Sequence, residues 1–425
     1  MKFNEKKLFE LAEELFPICR SLTGRGVRLT LKKIKQIIPK IQIKSTVSGT
    51  KVYDWKIPKE WSISEAFIED QNKKRIIDFK TNNLHVVGYS KPINKILSLT
   101  ELKKNIHTLP RQPNAIPYVT SYYRETWGFC MSHNQYKNLK PGNYRVVINS
   151  SLKKGKLNYG EALISGKSKK EILLTTYFCH PSLANDNVSG IVLLTAIAKW
   201  LLNTKRNYSY RILFIPETIG SIQYIHKNLK KLKQNVIAGY VITCVGDDGK
   251  FSFIPSREGN TLADKFAIRS LQSTKQNFKR YSFLQRGSDE RQFCSVGVNL
   301  PVCSITKSKY AEFKEYHTSL DNLDYISQKG LTSSLNLYKK LIMNFEKSEF
   351  YMATKICEPH LSKYSLYPST STKHSGLTVR KMMNVLAYSD GKRDIEEISK
   401  TTKIPLNEVK KFIKILKNKK LIRAL

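Results

Sequence analysis

Apolar positions along the chain change their spacing several times. Over residues 4–16 they recur every three or four positions, placing Leu8, Leu11, Ala12, Leu15 and Phe16 on one stripe, and residues 27–38 repeat the pattern before Pro39. Both segments predict amphipathic helices able to cover one face of a sheet. Between them lies the polar loop Arg20-Ser21-Leu22-Thr23-Gly24, whose arginine could reach a substrate carboxylate. From about 41 to 150, short alternating runs such as 41–46 and 84–89 predict strands, punctuated by Lys140-Pro-Gly-Asn and Arg111-Gln-Pro-Asn turns. The aromatic-dense stretch 118–129 in this region suits a β-rich core or docking face, or a rim that recognises a ring.

From about 155 to 345 the rhythm is strand, loop, helix. Strands are predicted at Glu171–Thr176, Arg211–Pro216, Val236–Val245 and Leu300–Ile305, with helices at 189–202, 220–233 and 261–274. That alternation is the pattern of a doubly wound α/β domain. From about 350 the pattern changes again, to short helices at Val379–Tyr388, Asp394–Lys400 and Leu406–Lys417, closed by a short hairpin from Lys417. This is the layout of a winged helix-turn-helix. The domains are therefore 1–40 with 155–347, an inserted β-rich domain at 41–154, and a winged helix at 350–425.

With 425 residues, 40% of them hydrophobic, the chain can build more than one core. No apolar run approaches the roughly 20 residues of a membrane span. The first residues lack a signal-peptide core, and a cytoplasmic location is expected. Seven cysteines at irregular spacings give neither a disulfide framework nor a zinc knuckle. The net charge of +39 comes from lysines dispersed along the whole chain, so it argues only weakly for nucleic acid. For the winged helix, protein docking and DNA binding both stay open.

Polar clusters gather at the predicted strand ends. His180-Pro-Ser-Leu-Ala-Asn-Asp186-Asn187 follows the first strand, Glu217-Thr218-Ile219-Gly220-Ser221 the next, and Cys244-Val245-Gly246-Asp247-Asp248-Gly249 the third. Gly287-Ser288-Asp289-Glu290 and Tyr316-His317-Thr318-Ser319-Leu320-Asp321 complete the set. Open α/β sheets bind ligands at the carboxyl ends of their strands. A buried imidazole beside a buried carboxylate is costly unless something positive binds them, and a divalent metal would do so.

This order of motifs resembles the zinc aminopeptidase family with two-metal sites, to which glutaminyl cyclases are related. With Arg20-Ser-Leu-Thr-Gly and Tyr118-Val-Thr-Ser-Tyr-Tyr it is similar to a bacterial aminopeptidase-like branch carrying a small inserted domain and a C-terminal winged helix. Some members of that branch are associated with surface-polysaccharide gene sets. The resemblance implies a mixed sheet flanked by helices, metal ligands at His180, Asp186 and His317, and Glu217 as general base. It places Asp289 and Glu290 on the pocket wall, where an acid could hold a substrate ammonium. Arg257, in a nearby loop, could meet a substrate carboxylate.

Three departures narrow the expectation. Thr218 stands where relatives have a second, ligating glutamate, Ser182 where an aspartate orients the first histidine, and Cys244 where an aspartate ligates. The expectation is therefore one zinc where relatives hold two, with Asp247 or Cys244 as a further ligand. The function implied is aminopeptidase-like hydrolysis of a peptide or aminoacyl amide. The alternatives are a degenerate binding or regulatory protein, or an amidohydrolase acting on a surface-polysaccharide precursor. A homo-oligomer is compatible with each.

Overall fold

The computed structural model describes residues 4–367 and 373–424. The chain divides into two compact units, 1–341 and 342–425. The first unit is built on an eight-stranded mixed sheet. In spatial order its strands are Gln42–Val47, Lys156–Ile164, Ser209–Ile215, Glu171–Tyr177, Val236–Val241, Val302–Thr306, Ser252–Ile254 and Lys279–Arg280. The four middle strands from Ser209–Ile215 to Val302–Thr306 run parallel, so their carboxyl ends lie on one side. Every residue of Glu171–Tyr177 and Ser209–Ile215 is buried, as expected of parallel strands covered on both faces.

Helix Ser189–Leu202 packs against this centre and is buried along most of its length. It can start there because position 190 is glycine. A Cβ at that point would lie 2.3 Å from Asn187 Oδ1 and 2.5 Å from the Ile242 carbonyl oxygen. The amphipathic helices predicted at the start appear as Glu5–Leu15, capped by Asn4, and Arg25–Ile37. The second buries Val27, Leu31 and Ile34; Leu31 comes close enough to Gly160 that a Cβ there would sit 2.9 Å from it.

The segment 41–46, read as the opening of the inserted region, forms the strand Gln42–Val47 at the edge of the main sheet. Lys44 there reaches the carboxylate of Glu161 across the pair. Residues 84–89 do not form a continuous strand. Asn82 accepts from the Leu84 amide and starts a 3-10 turn, Asn83–His85, and only single bridges at Val86 and Gly88 follow. The strand expected to run to Val245 ends at Val241, and Cys244 adopts a φ of 49° as the chain turns out of the sheet. A separate four-stranded antiparallel sheet, Arg75–Asp78, Glu60–Glu69, Asn143–Lys153 and Ile93–Ser98, carries its own core around Ile68, Phe129, Val146 and Ile148.

In the second unit, helices Lys373–Ala387, Ile395–Thr402 and Leu406–Asn418 enclose Val385, Ile398, Val409, Phe412 and Leu416. The closing segment does not fold back on itself as a hairpin. Ile422–Ala424 pairs instead with Phe350–Ala353, which also pairs with Asp390–Asp394. No helix among the described residues is long and apolar enough to cross a membrane.

Candidate metal centre

The parallel strands bring their terminal loops together. His180 follows Glu171–Tyr177, and Asp186 lies on the turn leading into helix Ser189–Leu202. His317 comes from the loop after Val302–Thr306. One ligand atom from each of these three residues lies within 4.8 Å of the others. His317 Nε2 is 3.1 Å from Asp186 Oδ2, and His180 Nε2 is 3.7 Å from Glu217 Oε2.

Each ligand is held from behind. The Tyr177 hydroxyl donates to Asp186 Oδ1 and lies 2.7 Å from Thr243 Oγ1. Asp321, which closes the Tyr316-His317-Thr318-Ser319-Leu320-Asp321 cluster, accepts the amides of Asn185 at 2.6 Å and Asp186 at 2.9 Å. Arg20 does not reach a substrate position. It is buried, and its guanidinium donates to the carbonyls of His180 at 3.0 Å and Leu15 at 2.5 Å, clamping the histidine loop. Ser182 bonds Asn83 at 2.7 Å and leaves the histidine without an orienting side chain.

The aromatic stretch contributes a wall. The Tyr118 ring meets His180 and His317 edge-on at 5.3 and 5.0 Å, and its amide donates to the His317 carbonyl. Tyr316 stacks on His317 at 3.9 Å.

The remaining candidates separate. Asp289 is buried beside Glu217: its Oδ1 accepts from the Thr218 amide and the Ser221 hydroxyl, both at 2.8 Å, while Oδ2 has no partner. Glu290, one residue on, points elsewhere and is filled by the amides of Gly287 and Ser288 and the hydroxyls of Tyr310 and Ser304. Asp247 stands outside the three-residue group. Its oxygens accept from Asn185 Nδ2, the Gly249 amide and both donors of Ser308, so it braces the loop. Arg257 is exposed and pairs with its neighbour Glu258 at 3.3 Å. Cys244 Sγ lies 4.0 Å from Asp186 Oδ1.

Burial sets the protonation states. It lowers His180 to about 4 despite the opposing Asp186 charge, leaving a neutral imidazole. Burial also pushes Asp186 up, but His180, His317 and the Tyr177 hydroxyl outweigh it and hold the carboxylate below its usual range. Glu217 is held well above the usual range by burial and by the Asp289 and Asp186 charges. Burial raises the Cys244 thiol well above its ordinary value, as does Asp186, which keeps it protonated.

A metal can be tested against these residues directly. His180, Asp186 and His317 bring one ligand atom each within 4.8 Å of one another, with Asp186 Oδ2 and His317 Nε2 facing each other at 3.1 Å, and His180 Nδ1 is buried without a hydrogen-bond partner. Two imidazoles and a carboxylate whose ligand atoms converge within 4.8 Å fit a cation with nitrogen and oxygen ligands, the donor set of zinc.

Known proteins agree with the fold. A family model described as a domain of unknown function, DUF4910, matches residues 9–348, and a winged helix-turn-helix model matches residues 349–424. A Clostridium acetobutylicum protein provisionally named for polysaccharide biosynthesis with an aminopeptidase-like domain is 45% identical over 406 residues, covering 95% of this chain and 93% of its own. A crystal structure from Clostridium acetobutylicum, provisionally described as a peptidase, is 43% identical with a TM-score of 0.83, covering 99% and 96% of the two chains. A zinc aminopeptidase from Bacillus subtilis, 13% identical with a TM-score of 0.57, shares the fold over 81% of this chain and 95% of its own. The fold and the relative's name support a peptidase-like hydrolase. The chain belongs to the DUF4910 family, and in it an aminopeptidase-like α/β fold is followed by a C-terminal winged helix-turn-helix domain.

Proposed function

We propose that the chain is a one-zinc hydrolase that cleaves an amide bond beside a free amine. The observation that carries this reading is the convergence of ligand atoms from His180, Asp186 and His317 within 4.8 Å of one another, beside Glu217, at the ends of neighbouring parallel strands. His180, Asp186 and His317 would hold the metal, which would there polarise a carbonyl and bring the pKa of water to about 7. A second metal has little to bind. The Thr218 hydroxyl accepts from Arg291, and the Asp247 oxygens are taken by Asn185, Gly249 and Ser308.

Glu217 is the proton carrier. A carboxyl held above its usual range can take a proton and return it to a leaving amine. Asp289 Oδ2 offers an unspent acceptor for the substrate ammonium. Tyr118 and Tyr316, packed on the histidines, fix their rings and keep bulk water from one side.

A second reading concerns the substrate. The name of the 45%-identical relative joins polysaccharide biosynthesis to an aminopeptidase-like domain, which brings in an amide on a sugar or sugar–peptide precursor beside a peptide. Elemental analysis should find one zinc per chain, lost in His180→Ala and Asp186→Ala. A panel of aminoacyl amides and amino-sugar amides should then show turnover that drops about 10²–10⁴-fold in Glu217→Gln while zinc is retained. Zinc that survives both ligand substitutions would remove the site, and undiminished turnover in Glu217→Gln would remove the base.

A further inference from the structure

Arg291 leaves the short helix Glu290–Phe293 two residues after Asp289. One of its terminal nitrogens donates to Thr218 Oγ1 at 2.5 Å. Its Nε is buried and has no acceptor, and among the described residues Arg291 makes no ion pair. Yet its charge bears on Glu217, Asp289 and Tyr316, so it stands among the acids of the site without being neutralised by any of them.

A guanidinium carries five N–H donors in a fixed fork, and a buried charged donor left unpaired is expensive. Arg211, buried elsewhere on the same sheet, shows what a structural arginine does here. It spends Nε and Nη2 on Glu171 at 2.5 and 2.8 Å, and Nη1 on Glu161 and Tyr224. Arg291 spends one donor on a hydroxyl.

The surrounding backbone explains how it is presented. Thr218 takes a φ of 61° directly after Glu217, gives its amide to Asp289 and its hydroxyl oxygen to Arg291. Asp289, Thr218 and Arg291 thus form one platform beside the proposed base, with an unpartnered acid oxygen and an unpartnered guanidinium nitrogen.

We infer that Arg291 is a substrate-binding residue that recognises a carboxylate lying near the substrate's free amine, as in an aminoacyl amino acid; this rests on the hydrolase reading above. A carboxylate matches the guanidinium fork as a bidentate acceptor. The ammonium of the same molecule meets Asp289. The platform thereby selects short, zwitterionic substrates with a free carboxyl group over the interior of a long chain. Arg257, the arginine the sequence suggested for this task, is out on an exposed loop.

The test uses the full zinc-loaded chain carrying Glu217→Gln, so that binding is read without turnover. Calorimetry compares L-alanyl-L-alanine with its C-terminal amide, L-alanyl-L-alaninamide. The free acid should bind at least about tenfold more tightly, a gap of about 1.4 kcal/mol. Adding Arg291→Gln should erase the gap, Arg291→Lys should keep part of it, and Arg257→Gln should leave it whole. Zinc content verifies that each variant is folded at the site. Equal affinity for acid and amide, or a preference that survives Arg291→Gln, would overturn the role of Arg291 alone. Failure of both ligands to bind would overturn the hydrolase reading and this inference with it.

Discussion

Two clusters of buried charge sit at opposite ends of the same parallel strands. At the amino ends, Arg211 on Ser209–Ile215 meets Glu171 on Glu171–Tyr177 and Glu161 on the neighbouring strand, with Tyr224 and Lys44 closing the network. At the carboxyl ends lie His180, Asp186, His317, Glu217 and Asp289. The first cluster is closed: its charges pair with one another. The second keeps His180 Nδ1 and Asp289 Oδ2 buried without partners and brings ligand atoms of His180, Asp186 and His317 together within 4.8 Å. Similar residues and similar burial thus give scaffold in one place and a candidate ligand site in the other. The number of side-chain residues with charge does not distinguish them; the fate of each lone pair and N–H does.

The largest test of the contrast removes the centre of the closed cluster. Arg211→Met leaves Glu171 as an uncompensated buried carboxylate and Glu161 with Lys44 and Tyr224 alone, and should cost about 3–5 kcal/mol in denaturant unfolding. Since the open cluster lies beyond the other ends of the strands, zinc per folded chain should not change. A loss under 1 kcal/mol would mean that water already satisfies the two glutamates and that the cluster is not closed.

The open cluster makes the complementary prediction. If its converging ligand atoms await a cation, zinc at about 100 times its Kd should stabilise the chain by about 2.7 kcal/mol. The gain should persist in Arg211→Met and disappear in His317→Ala. A shift of the same size in His317→Ala would place the metal elsewhere.

Acid separates the clusters by sign. Burial pushes the Glu161 carboxyl up, but Lys44, Tyr224 and Arg211 outweigh it and hold it below its ordinary value. Its contribution is complete above the unfolded value of about 4.3 and lost as pH falls through the lower folded value, about 1.4 kcal/mol for each unit of depression. Asp289 goes the other way. Burial raises it to about 6, so its contribution is present below an unfolded value near 4 and is lost as pH rises to about 6. In metal-free protein, denaturant midpoints of Asp289→Asn against the parent should converge at about pH 4 and separate in the variant's favour toward pH 6. A difference independent of pH would assign Asp289 a purely packing role.

Much of this was legible in the chain. The buried strands and helix 189–202 follow from apolar runs whose period is unambiguous, and the strand-end motifs put His180, Asp186, Glu217 and His317 in one neighbourhood. Direction was not legible. Asp289 and Glu290 are adjacent, yet one faces Thr218 and Ser221 and the other Tyr310 and Ser304. Asp247 looked like a ligand because it follows a strand; only the fold shows Asn185 and Ser308 using up its oxygens. Alternation likewise marks 41–46 as a strand but cannot name its partner, which is fixed by contacts more than a hundred residues away. Arg291 gave no signal, since an arginine's meaning lies in which of its donors remain unpaired.

The smallest effect probes the rim of the closed cluster. Lys44 Nζ lies 2.5 Å from Glu161 Oε2, but its side chain is 43% exposed. Exposed ion pairs contribute about 0.2–1 kcal/mol, because solvent screens the attraction and the long side chain loses freedom. Lys44→Met should therefore cost no more than about 1 kcal/mol, with part of even that restored by the methylene packing it keeps. Raising salt should shrink the difference further for Lys44→Met and leave that for Arg211→Met nearly intact, since screening reaches the surface pair and not the buried one. If Lys44→Met instead costs as much as Arg211→Met, Glu161 depends on its outer partner, and the cluster is held from the surface rather than from within.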